Sequence, residues 1–101
     1  MNLNQLVKII ISALEDIKAI DIEILDVTKR TTIFDRMIIA SAVSTRQAKA
    51  IANNVHDKVK ESGGVSYGTE GEGSGEWVLV DLGDVLVHIM LPAVRTHYDL
   101  E

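Results

Sequence analysis

The sequence predicts an α/β fold, a mixed sheet of about five strands flanked by helices. Three observations predict it. Apolar residues recur at steps of three and four near the N-terminus and again after Ser44, the mark of amphipathic helices. Between and beyond them lie short runs rich in Val and Ile. Their order, helix, strand, strand, helix, three strands, helix, contains one strand-helix-strand crossover, expected to be right-handed, and then antiparallel hairpins.

The first helix rests on Leu3, Leu6, Val7, Ile10, Ile11, Leu14 and Ile17, which share one stripe, with Asn2 or Asn4 as N-cap and an end near Ile20. A core-facing role is expected of this stripe, because a small domain needs it. Ile22 to Val27 reads as a short strand and Thr28 to Thr32 as a polar connection. Met37 to Val43 is apolar on both parities, as an inner strand covered on two faces requires. Ser44 and Gln47 have the capping-box spacing and open a second helix whose inner face is Ala48, Ile51, Ala52, Val55 and Val59. Gly63-Gly64 ends it. A short strand follows from Val65, then the glycine-rich stretch EGEGSGEW. Strands over Trp77–Leu82 and Val85–Met90 meet at a tight turn, Leu82-Gly83-Asp84. Pro92, whose fixed φ suits the first helical position, opens a last short helix, PAVRTHYDL.

With 101 residues, residues 1–101 are expected to form a single domain. A hydrophobic content of 47% with one Pro argues against disorder. Zero Cys removes disulfides, thiolate chemistry and Cys-based zinc sites together. The N-terminal segment interleaves polar residues and carries Glu15 and Asp16, so neither a signal peptide nor a membrane span is expected, and the address is cytoplasmic. A formal charge of −5 disfavours direct nucleic-acid binding, which draws on Lys and Arg displacing counterions from phosphates. A protein of this charge working near RNA is expected to grip a basic protein there.

EGEGSGEW has the glycines of a phosphate loop but three carboxylates and no cation, and a strand follows where such a loop needs a helix. It is read as a polar connection. Strand alternation puts Trp77, Leu79 and Asp81 on one face and the aliphatic Val78, Val80 and Leu82 on the other. The aliphatic face belongs under a helix. Trp77 is then either an anchor on a protein-binding surface or a partly buried gap filler. His88 falls on a mixed face and is read as a hydrogen-bonded structural histidine rather than a ligand or base. Gly73-Ser74 with Asp81 and Asp84 resembles the Gly-Ser and paired aspartates of nucleotidyltransferases, making magnesium-dependent nucleotidyl transfer the alternative function. Two aspartates split across a turn need not converge on a metal, however. His56, His88 and His97 lack metal-ligand spacing, so no metal or cofactor is expected.

Asp21-Ile22, Leu25-Asp26-Val27, Asp35 with Met37-Ile38-Ile39, Ser44, Arg46, Glu70-Gly71-Glu72, Trp77, Val80 to Val85, Val87-His88, Arg95, Tyr98 and Leu100-Glu101 together resemble the ribosomal silencing factor family, also called RsfS or iojap. The resemblance spans nearly the whole chain. The family usually continues past Leu-Glu to a terminal Leu-Trp, whereas this sequence stops at Glu101, so no contact made by such a tail is carried over. The resemblance implies a nucleotidyltransferase-like sheet without the catalytic carboxylates, no enzymatic activity, and a homodimer. It further implies binding to the L-fourteen protein of the large ribosomal subunit, which blocks docking of the small subunit. Carried over by position, Trp77 would be the aromatic anchor and Asp81 an acceptor. Met90 and Pro92 would add apolar area, Arg95 and Tyr98 would frame the patch, and Glu70 and Glu72 would form its acidic rim.

Overall fold

The computed structural model describes residues 1–98. Asp99, Leu100 and Glu101, which the sequence reading joined to the last helix and to the family pattern, lie outside the described residues. Helix α1 spans Leu3–Asp16 and is capped by Asn2, whose side chain accepts from the Gln5 N–H while the Gln5 side chain accepts from the Asn2 N–H. It ends earlier than its apolar stripe suggested. Lys18 takes φ +63° and turns the chain directly into strand β1, Ile20–Asp26. Strand β2 spans Arg36–Ser41, helix α2 Thr45–Glu61, β3 Gly68–Glu70, β4 Trp77–Asp81, β5 Val85–Met90, and helix α3 Pro92–Tyr98.

The five strands form one mixed sheet in the order β1-β2-β5-β4-β3. Only β2 and β5 pair in parallel; the other three pairings are antiparallel. Physically, the strands that are apolar on both parities take the inside: β5 lies at the centre, and β2 stands between it and the edge strand β1. The β4–β5 turn forms as the sequence indicated. Leu82 donates to the Val85 carbonyl, Gly83 has φ +84°, and the Asp81 carboxylate accepts from the Gly83 N–H at 2.9 Å.

Helices α1 and α2 cover one face of the sheet. Ile10, Leu14, Ile51, Val55 and Val59 close over Ile38, Val78, Val80, Val87 and Ile89, all essentially inaccessible. Each such side chain contributes about 1.5–3 kcal/mol by leaving water. The capping box at α2 is half formed: Ser44 accepts from the Gln47 N–H, but the Gln47 amide reaches Val43 instead and donates to the Ile17 carbonyl. Gln47 thus fastens the start of α2 to the end of α1. Among the described residues, no helix is long and apolar enough to cross a membrane.

Candidate functional site

The face turned away from α1 and α2 is organised in rows that follow from strand register. One row runs Leu25, Met37, Leu86, Asp81; the next Glu23, Ile39, His88, Leu79, Glu70; the third Ser41, Met90, Trp77. Short helix α3 lies over the third row, bonded to it through Arg95 and Ser41 and in tilted ring contact with it through Tyr98 and Trp77. The rest of the face is open. Leu25, Met37, Leu79 and Leu86 are half-buried there, with the half-buried Trp77 at their border against α3, while Glu23, Glu70 and Asp81 are exposed around them. The result is an apolar strip with an acidic rim.

Trp77 sits at the start of β4, paired with Met90. Its indole N–H donates to Nδ1 of His88 at 2.9 Å, and its ring lies 4.8 Å from the Tyr98 ring and 5.7 Å from the His88 ring, tilted against both. His88 is 8% exposed. Burial disfavours its charged form and pushes its pKa down from 6.5 to about 4. An acceptor at Nδ1 places the ring proton on Nε2, so His88 is the neutral, structurally bonded histidine that its mixed face suggested. A shallow cleft of about 230 Å³ opens beside the indole, lined by Glu70, Gly71, Trp77, Leu79 and His88.

The remaining residues singled out from sequence fare differently. Tyr98, 55% exposed, joins Trp77, and Pro92 lies exposed at the head of the same helix. Glu70 joins the cleft, and Glu72 is exposed in the neighbouring loop. Met90 does not add apolar area. It is 0% exposed, because α3 folds back over the end of β5, so it supports the surface from beneath. Asp81 shares Trp77's face but stands at the far end of β4, about 13 Å away at 3.3 Å per residue, with one carboxylate oxygen engaged by the Gly83 N–H. Arg95 is a clamp: its guanidinium donates to the Asp21 carbonyl at 2.6 Å and to the Ser41 hydroxyl at 2.9 Å, fixing α3 to the irregular start of β1. There Asp21 takes φ +51° and the β1–β2 register shifts.

Sequence reasoning missed Leu25, Met37 and Leu86 as parts of this surface. Each lies on the right parity of its own strand, but only the antiparallel pairing of β1 with β2 and the parallel pairing of β2 with β5 set them side by side. The glycine-rich loop holds its shape through glycine: Gly71 has φ +85°, and a Cβ there would run into the Trp77 carbonyl oxygen. Gly75 packs against Thr45 and Lys49 of α2. Asp81 and Asp84 do not converge: Asp81 faces the open side, whereas Asp84 lines a cleft with Asn2, Leu3 and Leu6 on the helix side. Such a surface can hold a protein through apolar contact and charge.

Known proteins agree with this architecture. The family model described as ribosomal silencing factor during starvation matches residues 1–101. The chain is 56% identical over 101 residues to ribosomal silencing factor RsfS of Chromobacterium violaceum, covering all of this chain and 83% of that protein. A crystal structure of a Chromobacterium violaceum protein superposes with a TM-score of 0.97 at 56% identity, covering 100% of this chain and 84% of the other. One from Bacillus halodurans gives 0.87 at 31% identity, covering 96% and 90%.

Proposed function

The chain belongs to the ribosomal silencing factor family, and on that footing we propose that it represses translation by docking on the large ribosomal subunit through the L-fourteen protein and sterically blocking the small subunit. It works by occupancy and not by catalysis, as a cytoplasmic protein whose residues 1–101 act as one domain and pair into a homodimer. The observation that carries this reading is the open sheet face. An apolar strip that runs up to a half-buried Trp77 is rimmed by Glu23, Glu70 and Asp81, the complement of a basic protein surface. An aromatic anchor in such a patch typically costs about 2 kcal/mol or more on truncation.

Sedimentation with isolated subunits tests the reading. The protein should co-migrate with the large subunit and deplete joined ribosomes. Persistence of joined ribosomes at saturating protein would overturn it. Trp77→Ala should weaken binding to the large subunit well over tenfold without unfolding the chain, since the main core lies on the opposite face. Unchanged affinity in a titration would remove Trp77 from the contact. Light scattering at micromolar concentration should return twice the chain mass of 11.1 kDa, and a monomer mass would refute the homodimer. Calorimetry with ATP and magnesium should give no heat; saturable heat would favour the nucleotidyl-transfer alternative.

A further inference from the structure

We propose that His88 is a positioning residue for the partner contact: through Nδ1 it holds the Trp77 indole in the one orientation in which the open face presents it. This rests on Trp77 being the anchor of the proposed contact, and it concerns how that anchor is kept ready before a partner arrives.

Trp77 lies beyond the last pair of β3 with β4, Glu70 with Leu79, so it has a strand neighbour on one side only, Met90 of β5. On its other side stands the shallow cleft edged by Glu70 and Gly71. Any rotamer freedom a large side chain keeps at such a position is lost on binding and costs affinity. Among the described residues, two rings limit that freedom, those of Tyr98 and His88. The tilted contact with the Tyr98 ring is open to water, because Tyr98 is 55% exposed. The N–H···N hydrogen bond is directional, and its acceptor sits at a site only 8% exposed, where water competes poorly.

Register explains why His88 can do this. It is opposite Leu79 and therefore diagonal to Trp77, a separation that long side chains bridge. Ile39 backs the ring from β2. With Nδ1 accepting, the imidazole is neutral and adds no positive charge beside Glu70, leaving the rim acidic toward a basic partner.

Two measurements on the full chain test the proposal. In the unaltered protein, labelled with ¹⁵N, the single indole N–H should show a nitrogen-nitrogen coupling across the hydrogen bond to Nδ1 of His88. An indole that exchanges freely and shows no coupling would overturn the proposal. Affinity for the large subunit should fall about fivefold in His88→Leu, which lacks an acceptor. It should stay within about twofold in His88→Asn, whose amide oxygen can occupy the Nδ1 position. In a Trp77→Phe background, which has no N–H to donate, His88→Leu should have no further effect. Equal losses for Leu and Asn would reduce His88 to packing and sink the idea, as would no loss in either. If Trp77→Ala binds normally, the proposed contact itself fails; if Trp77→Ala loses binding while His88→Leu does not, only the positioning role fails.

Discussion

At the scale of single residues, the site depends on polar groups committed to neighbours. His88 is the clearest case, and its depressed pKa gives stability a definite pH dependence. In the unfolded chain the ring takes up a proton near pH 6.5, whereas in the folded chain it does so only near pH 4. Across that window the unfolded state binds more protons, so folding stability should be highest above pH 6.5 and decline as pH falls toward about 4. The decline attributable to this group is on the order of 3 kcal/mol at most, from 1.36 kcal/mol per pKa unit. Urea midpoints measured across the range should show the slope, and His88→Asn should flatten it. An identical slope in the variant would mean that other groups set it. Asp26 also departs from its usual range: hydrogen bonds from the Thr28 hydroxyl and N–H hold its exposed carboxyl below the ordinary value. The carboxylates prominent in the sequence prove unequal on the same scale. Asp81 steadies a turn, and Glu70 edges the cleft.

At the scale of elements, the local chemistry of caps and turns was readable from sequence, and the partners across space were not. Ser44 with Gln47 was legible because capping needs a side-chain acceptor three residues before an orphan N–H, whereas the choice of Asn2 over Asn4, with Gln5 closing the box, came from the structure. That the Gln47 amide would leave its own cap for the Ile17 carbonyl required knowing where α1 ends. Arg95 is similar: its sequence position placed it near the patch, but its role as a clamp depends on the bulge at Asp21, seventy-four residues away along the chain. The loop after β3 yields a prediction. Gly71→Ala forces a left-handed conformation on a residue with a Cβ and drives that Cβ against the Trp77 carbonyl. It should cost about 1–3 kcal/mol in denaturant unfolding and shift the Trp77 fluorescence, whereas Gly73→Ala, with open space around it, should do neither. Equal effects at the two positions would contradict the loop geometry. Removing the cap with Asn2→Ala should cost about 1 kcal/mol without altering binding.

At the scale of the molecule, charge is divided between the two long helices and the sheet with its loops, part of whose acids rim the open face. Helices α1 and α2 carry Lys8, Arg46, Lys49, Lys58 and Lys60 against four acids, so the acidic excess behind the net −5 belongs to the sheet and its loops. Capture of a basic partner by the open face should be steered by charge, so the association rate should fall roughly tenfold as salt is raised from about 0.05 M to about 0.5 M, with a smaller change in dissociation. A salt-independent rate would argue against the acidic rim. The sequence by itself determined the order of the elements, the Ser44 cap, the aliphatic face under the helices and the parity that puts Trp77 outward, because periodicity and capping act within a few residues of one another. The third strand, expected from Val65, begins only at Gly68 and takes in Glu70. Only the tertiary structure decided that β2 and β5 run side by side, that Leu25, Met37 and Leu86 join Trp77 and Leu79 in one strip, that α3 seals Met90 beneath it, and that His88 grips the indole. Those outcomes depend on register between strands far apart in the chain, where the pairing is selected by burying two apolar faces at once rather than by any local signal.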